Sequence, residues 1–406
     1  MTAAAEPQEL LLKLLDPANR ANPYPVYRQI LDGGPMHMPE STLYVLSSFA
    51  DCDEVLRHPD SCSDRLKSTV AQRAIEAGEQ PRPFGTPGFL FLDPPDHTRL
   101  RKLVSKAFSP RVVKALEPDI TSMVDDLLDK AAATSEFDAV EQLAHPLPVA
   151  VICRLLGVPI EDEAQFSAAS TILAQGLDPF VTFTGETQGL EERMKAGMWL
   201  RGYLRELLER RRAEPRDDLM SGLIAVEESG DQLTEEEIVA TCNLLLIAGH
   251  ETTVNLIANG ILAMLRHREH WTALSADPGL APNIIEETLR YDPPVQLASR
   301  VAGADMEIGG IRIPKGDIMM VLLAAAHRDP AVTERPDEFD PTRSPIRHLA
   351  FGHGPHFCLG APLARMEAAV ALSAVTKRFP DAQLASEPTY KPHVTLRGMA
   401  RLDVAV

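Results

Sequence analysis

Apolar residues recur every three to four positions over most of the chain, the spacing of helices that bury one face. The longest such pattern starts at the capping box Thr234-Glu235-Glu236-Glu237 and continues to about His267. A helix of about 33 residues would be about 50 Å long, enough to cross the molecule. The apolar run 244–248 within it predicts that this helix is largely buried.

Further helical patterns, and short stretches of alternating apolar and polar residues, fill most of the remaining chain. Predicted helical segments are 116–156 with a break at Pro146 and Pro148, 161–213 with a looser stretch at 177–186, Asn283–Tyr291, and Pro362 to Pro380. Predicted strands lie at Leu43–Leu46, Val295–Arg300, and around 306–318 and 395–403. Because no linker, repeat or low-complexity tract divides the chain, we expect one domain over residues 1–406, mainly α with a small β region.

Composition narrows the class of protein. The formal net charge is 40 minus 58, or −18, which opposes binding to nucleic acids or anionic membranes. The five cysteines are odd in number, with no Cys-x-x-Cys pair, so we expect reduced thiols and a cytoplasmic location. The longest apolar run is about half the ~20 residues of a membrane span, and the first residues lack a basic segment.

A candidate reactive thiol lies in the glycine-rich stretch from Phe351 to Gly360. Cys358 precedes the predicted helix at Pro362, where helix N–H groups and the helix dipole should favour a thiolate that could hold a metal. A small buried cysteine is the simpler alternative. A zinc site with His348, His353 and His356 is a second alternative, although the spacing is poor for zinc.

Two other groups of residues interrupt regular helical patterns. His97 and Arg101 are four apart on a helix predicted to follow Asp93, and form either a solvated basic face or a binding pair. The long helix contains Ala248-Gly249-His250-Glu251-Thr252-Thr253, where Gly weakens the helix and polar groups lie in an apolar run. A threonine bonded to its own i−4 carbonyl would be the structural explanation.

These motifs, in this order, resemble those of the cytochrome P450 superfamily in its soluble bacterial form. Phe-Gly-x-Gly-x-His-x-Cys-Leu-Gly is similar to the haem-binding loop of that family, Ala-Gly-x-Glu-Thr-Thr to its oxygen-binding groove, and Glu287-x-x-Arg290 to its buried brace. The resemblance implies the cytochrome P450 fold, a triangular helical prism with the long central I helix over the haem.

The resemblance also implies roles for individual residues. It makes Cys358 the axial ligand of a non-covalent haem b, and it places Phe351 beside the sulfur. It leaves room for dioxygen at Gly249, and it turns the helix face that carries Leu244, Ala248 and Thr252 toward the haem. Glu251 and Thr252 are the implied catalytic residues, with Glu251 relaying protons and Thr252 bonding the activated dioxygen. The implied haem-propionate ligands are His97, Arg101, Arg300 and His356, with His348 a further neighbour.

The implied activity is a monooxygenase that inserts one atom of O2 into an apolar small molecule by hydroxylation or epoxidation. NAD(P)H would supply electrons through a ferredoxin reductase and a ferredoxin, attracted by a basic patch comprising Arg99, Lys102, Lys106, Arg111 and Lys114. Leu244, Leu245, Val295 and Leu297 are expected to line an apolar pocket, and 177–186 resembles the hinge of its lid. A haem peroxygenase and a non-catalytic haem sensor are the alternatives.

Overall fold

The computed structural model describes residues 7–38, 41–78, 86–174, 189–228 and 233–406. Its α-helices, numbered in chain order within these ranges, are α1 Pro7–Leu15, α2 Tyr24–Gly33, α3 Phe49–Arg57, α4 Thr69–Glu76, α5 Asp96–Val104, α6 Pro110–Ala131, α7 Pro146–Leu156, α8 Glu163–Ala174, α9 Leu190–Ala213, α10 Leu219–Glu228, α11 Glu235–Arg266, α12 Arg268–Ala276, α13 Ala281–Tyr291, α14 Leu323–Ala326 and α15 Ala361–Arg378.

Short strands form the β part of the described chain. They are β1 Met36–Met38, β2 Leu43–Leu46, β3 Ser61–Cys62, β4 Glu136–Asp138, β5 Ala298–Ala302, β6 Met306–Ile308, β7 Ile311–Ile313, β8 Ile318–Val321, β9 Gln383–Leu384, β10 Thr389–Tyr390, β11 Met399–Arg401 and β12 Asp403–Ala405. A five-stranded sheet has the order β1-β2-β8-β5-β3, in which only β2 and β8 are parallel. Smaller sheets are β4-β12-β9, β10-β11 and β6-β7.

Helix α11 is the centre of the helical core. Its 32 residues span about 48 Å at 1.5 Å per residue, and it packs against α7, α8, α9, α13 and α15. The predicted capping box is present, because Thr234 Oγ1 accepts from the Glu237 backbone N–H and the Glu237 carboxylate accepts from the Thr234 N–H. Most of its side chains are buried, which confirms that it crosses the interior.

The five-stranded sheet separates two smaller cores because alternate side chains point to opposite faces. Val45 and Met320 pack with the N-terminal helices, in a cluster that includes Leu14 and Tyr27. Leu46 and Val321, which are paired across β2 and β8, pack on the other face with α3. The sheet therefore packs against the N-terminal helices with one face and against α3 with the other.

The structure corrects three predicted boundaries. Pro146 and Pro148 do not break a helix; both lie in the first turn of α7, where a missing N–H costs little. The strand predicted from Val295 starts only at Ala298, and Val295 makes an isolated bridge to Leu396. The helix predicted from Asn283 starts two residues earlier, at Ala281.

None of the described helices is both long enough and apolar enough to cross a membrane. The five cysteines are all free thiols, as expected from their spacing. Four of them are buried, whereas Cys358 is partly exposed. Cys358 is thus the cysteine whose surroundings differ from those of an ordinary core thiol.

Candidate functional site

Glycines shape the loop that carries Cys358. Gly352 and Gly354 have φ of 69° and 68°, a conformation that other residues rarely adopt. A Cβ at Gly354 would also lie 2.6 Å from the backbone oxygen of Leu56. The loop closes on itself where the Cys358 N–H donates to the Phe351 carbonyl at 2.8 Å, and Gly360 then caps helix α15.

The electrostatics of Cys358 differ from the expectation of a low thiol pKa. Burial raises the pKa of Cys358, and the opposing effects of the Gly360 and Ala361 N–H groups and of the Arg101 guanidinium are smaller. The helix N-terminus therefore favours the thiolate as predicted, but the desolvation of the sulfur outweighs it. A coordinating metal cation would deprotonate such a thiol, because the cation is the largest local charge.

Four basic side chains from three segments meet beside this loop. His97 and Arg101 come from α5, Arg300 from β5 and His356 from the cysteine loop. The His97 and His356 rings lie 4.0 Å apart. Arg101 donates through Nη2 to the carbonyl of Phe357. The sequence prediction that these four residues share one site is therefore supported by their placement, with His97 and Arg101 on one face of a helix.

This basic cluster fits an anionic group. Both ring nitrogens of His97 are buried and have no hydrogen-bond partner among the described residues, and burial lowers the His97 pKa. Burial and the neighbouring Arg300 lower the pKa of His356 to about 3. Burial also lowers the pKa of Arg300 to about 10, and the nearby Asp93 carboxylate, which raises it, offsets only part of this effect. A carboxylate brought here would relieve this unfavourable burial of cations, so the residues fit the propionates of a haem.

The remaining histidines near Cys358 are engaged elsewhere. His348 Nε2 lies 2.9 Å from Glu286 Oε2, so the structure gives His348 a carboxylate partner in place of the predicted propionate. His353 pairs with Asp53. In the described part of the chain, no group of three His, Cys, Asp or Glu side chains could hold a metal ion. These contacts argue against the zinc alternative for His348 and His353, and among the described residues Cys358 has no second metal-binding side chain grouped with it.

The middle of α11 departs from the burial of the rest of the helix. Ile247, Ala248, Gly249 and Thr252 are partly exposed, although residues 244–246 before them and 253–265 after them are buried. A cleft therefore opens along the face that Ala248 and Thr252 share with Leu244. The hydroxyl of Thr252 donates to its i−4 carbonyl, at Ala248, over 2.8 Å, which is the structural alternative foreseen for this threonine.

Helix packing alone does not require a glycine at position 249, because an added Cβ would make only an ordinary van der Waals contact. A Cβ at Gly249 would lie 3.5 Å from the side chain of Ile152 on α7. Its predicted contribution to the space for dioxygen stays a prediction, since this contact lies toward α7. Phe351 is similar: its ring lies 4.5 Å from the Arg365 guanidinium, and its predicted packing by the sulfur stays a prediction.

Glu251 is held by a residue that the sequence reading missed. Its Oε1 accepts a hydrogen bond from Lys391 Nζ, and both side chains are largely buried. Burial alone would raise the pKa of Glu251, but Lys391 lowers it below the usual value. Glu251 is therefore ionised at neutral pH. No local motif marks Lys391 as the partner of Glu251. The sequence shows only that this lysine lies in a C-terminal segment that must cover the interior.

Glu287 and Arg290 form the predicted buried brace. Both side chains are fully buried and bond through two contacts of 2.7 Å. Arg290 also donates to the carbonyls of Pro336 and Glu338, and Glu287 accepts from Arg343. All charges are thus satisfied, as a buried ion pair requires. The brace fixes the chain that leads to the cysteine loop.

Two predicted pocket features are changed by the structure. Leu297 is buried in the core that contains Leu14 and Met320, and it therefore does not line a pocket. Leu244 and Leu245 are buried in the helical core beside α7. The predicted lid hinge at 177–186 falls within 175–188 and lies outside the described residues.

Comparisons with known proteins agree with this arrangement. A family model described as Cytochrome P450 matches residues 36–277 and 279–392. Vitamin D(3) 25-hydroxylase of Pseudonocardia autotrophica is 40% identical over 393 residues, which cover 95% of this chain and 94% of the relative.

Solved structures give the same picture. CYP164A2 of Mycobacterium smegmatis in the ligand-free state is 64% identical and has a TM-score of 0.93, with 98% of this chain and 100% of that chain covered. The same protein with econazole bound is 65% identical over the same shares of the two chains, also with a TM-score of 0.93. The similarity therefore extends through the whole architecture.

Proposed function

This chain belongs to the cytochrome P450 family of monooxygenases, and we propose that it inserts one atom of O2 into an apolar small molecule by hydroxylation or epoxidation. The observation that carries the proposal is the cysteine loop, in which Cys358 lies beside a basic cluster whose four side chains form no ion pair with the described acidic residues. We also propose that residues 1–406 act as one catalytic domain.

We assign the binding of haem b to residues of this site. Cys358 would bind the haem iron through its sulfur, and Phe351 would lie beside that sulfur. The proposed propionate ligands are His97, Arg101, Arg300 and His356. When bound, a haem with a thiolate ligand supplies the electron-rich iron that favours cleavage of the O–O bond. The partly exposed Ala248 and Gly249 would wall the side of the cleft opposite the cysteine.

Glu251 and Thr252 are the proposed proton donors. Both lie in the interrupted part of α11, and the ionised Glu251 can accept a proton and pass it on. The Thr252 hydroxyl, which now donates to Ala248, can rotate to hold a proton or a water molecule in the cleft. Heterolysis of an O–O bond consumes two protons, so a site closed to bulk water needs such a supply.

An apolar substrate is supported by the residues around the cleft and by two relatives. Leu244 and Leu245 are buried among the helices, but both are apolar and lie within about one turn of the partly exposed Ala248. One relative is named a vitamin D(3) 25-hydroxylase, and another was solved with econazole bound. We propose a bulky, mostly apolar substrate with few polar groups.

A ferredoxin with an NAD(P)H-dependent reductase is the proposed electron source. Lys102, Lys106, Arg111 and Lys114 are exposed and have no ion pair among the described residues. Arg99 does not belong with them, because it pairs with Glu237 and Asp96. The Arg101 contact with the cysteine loop places this basic stretch next to Cys358. An acidic ferredoxin would be attracted there, close to the haem.

The test is oxygenation with labelled dioxygen. Apolar compounds, including vitamin D(3), are first screened for those that convert the ferric protein to high spin. The best compound is then incubated with ¹⁸O2, NADH and a surrogate ferredoxin and reductase. We expect one ¹⁸O atom in the product. We expect Thr252→Ala to consume NADH while releasing mostly peroxide, because proton delivery is disturbed.

Two results would overturn the proposal. Product formed as fast with hydrogen peroxide alone as with the redox partners would indicate a peroxygenase. Tight compound binding without any oxygenated product, in protein that accepts electrons normally, would indicate a sensor. Thr253→Ala is the matched control, because Thr253 donates to Gly249 but lies on a different face of α11.

A further inference from the structure

His250 is a buried histidine with no assigned role. It lies in α11 immediately before Glu251, and only 1% of its surface is exposed. Neither of its ring nitrogens has a hydrogen-bond partner among the described residues. A buried imidazole without a partner is costly, since the ring always carries at least one donor and the neutral ring one acceptor. An apolar residue of similar size would suit a purely structural position better.

His145 extends this group toward the protein surface. It precedes α7, and its ring lies 4.8 Å from the ring of His250, edge to face. Its Nε2 is 3.1 Å from the hydroxyl of Ser167, and both residues are partly exposed. Glu141, which is exposed, interacts electrostatically with His145. Polar groups therefore lead from the surface to the buried ring of His250.

The geometry of α11 leads from His250 to the cleft. Successive residues on an α-helix are rotated by about 100°, so His250, Glu251 and Thr252 step around its axis. Thr252 faces the cleft, His250 faces away from it toward His145, and Glu251 lies between them. Glu251 Oε2 is buried and has no hydrogen-bond partner among the described residues, whereas Oε1 is held by Lys391.

We propose that Ser167, His145 and His250 form a proton path from the surface to Glu251, and that Lys391 is a positioning residue that holds Glu251 at its inner end. This inference rests on the proposed oxygenation, which consumes the protons. In each transfer, a histidine accepts one proton on one nitrogen and releases one from the other. The ring then returns to its first tautomer before the next transfer, so no oxidant or reductant is needed.

The electrostatics of the group suit such transfers. Burial and the neighbouring His145 lower the pKa of His250 to about 4, and Lys391 lowers the pKa of Glu251. The charged groups that face His250 are Glu251, His145 and Lys391. At neutral pH the histidine is uncharged and the glutamate ionised. A neutral ring of His250 can therefore take a proton from the side of His145, and the ionised Glu251 can accept one from it.

The first test follows the ring N–H of His250 and does not depend on turnover. Protein labelled with ¹⁵N-histidine is prepared in the ferrous carbon-monoxide form, and the His250 signal is assigned by its loss in His250→Phe. We expect this buried N–H to exchange with solvent readily, and His145→Phe to slow the exchange at least about tenfold. The control is His37→Phe, which replaces an exposed histidine ring that stacks on Tyr44. It should leave the exchange rate of the His250 N–H unchanged.

The second test measures proton use during oxygenation. We expect His250→Phe and His145→Phe each to lower the product formed per NADH several-fold, up to about tenfold. We also expect each change to raise the solvent deuterium isotope effect on the rate of product formation. Combining either change with Glu251→Gln should add little further loss, because residues of one path act as a unit. Ferrous carbon-monoxide spectra confirm that each variant keeps its haem site.

The outcomes separate the two claims. A wild-type protein that forms no product overturns the proposed oxygenation, while the exchange measurement still decides the path. An exchange rate of His250 that is unchanged in His145→Phe overturns the path. The path is also overturned if the wild-type protein oxygenates its substrate and the loss of product caused by either histidine change adds fully to the loss caused by Glu251→Gln.

Discussion

Glu367 is a buried carboxyl group in α15 that the proposed chemistry does not use. Its residue is 3% exposed, and Oε2 has no hydrogen-bond partner among the described residues. Burial raises its pKa to about 8. The folded protein therefore retains a proton here that the unfolded chain releases above a pH of about 4.3. The stability that this proton supports is complete below that pH and is lost as the pH rises toward 8.

We predict that Glu367→Gln removes this pH dependence. Because the folded state holds one more proton than the unfolded state in this window, wild type should lose about 1.4 kcal/mol of stability per pH unit relative to the variant. Urea unfolding of both proteins at pH 5, 6, 7 and 8 measures the difference. Glu117→Gln, at an exposed site on α6, should run parallel to wild type. A constant gap between Glu367→Gln and wild type would contradict the prediction.

Single residues with strong chemical demands were those best predicted from the sequence. A cysteine between glycines and a Glu-x-x-Arg pair each need particular surroundings, and the structure supplies them at Cys358 and Glu287. Partners from distant segments could not be predicted, because nothing local specifies them. Lys391 on Glu251 and Glu286 on His348 are such cases. The raised pKa of Cys358 also depends on burial, which only the folded chain defines.

At the scale of elements, α11 depends on how its first turn is capped. The first four N–H groups of a helix have no partner within the helix. At this end the Thr234 hydroxyl accepts from the Glu237 N–H, and the Glu237 carboxylate accepts from the Thr234 N–H. Arg99 of α5 bonds the same glutamate, so the cap also ties α11 to the segment that carries His97.

Thr234→Ala should lower the free energy of unfolding by about 1 kcal/mol, because the side-chain acceptor for the Glu237 N–H is lost. Thr234→Asp, which keeps an acceptor oxygen, should retain most of the stability. Urea unfolding followed by tryptophan fluorescence gives both values, since Trp271 is buried on the adjacent α12. Equal losses in the two variants would show that the acceptor oxygen of the capping side chain does not stabilise the helix.

Elements with a clear period and a cap were predicted closely, as α11 and α15 show. The errors fell where tertiary contacts override local preference. Pro146 and Pro148 are compatible with a helix only if they fall in its first turn, and the start of α7 depends on packing against α11. Apolar and polar residues alternate around Val295, which favours a strand. Val295 instead makes a single bridge to Leu396, in a segment that is remote in sequence.

At the scale of the whole molecule, the mainly α fold with a small β region is confirmed by its similarity to solved cytochromes P450. The order of the motifs along the chain was enough to predict the family, because a chance match of all of them in one order is far less probable than a match of any one. The substrate could not be predicted, since the pocket is formed by several distant segments. That the chain is a single domain stays a prediction.

The charge distribution leads to a prediction about electron delivery. The molecule carries a net charge of −18, yet the basic stretch beside the cysteine loop is exposed. Lys102→Glu and Lys106→Glu should each slow reduction by an acidic ferredoxin several-fold at low salt, with the effect fading as salt screens the charges. Lys195→Glu on α9 is the control. Stopped-flow reduction at several ionic strengths measures this, and equal rates at low salt would rule out docking on this stretch.

The central claim is that Cys358 binds the iron of a haem as a thiolate. It is tested most directly by the optical spectrum of the freshly purified, dithionite-reduced protein under carbon monoxide. We expect a strongly red-shifted Soret band that is lost in Cys358→His and kept in Cys153→Ser, a buried thiol elsewhere. An unshifted band in the wild-type protein, or a shifted band that persists in Cys358→His, would contradict the account.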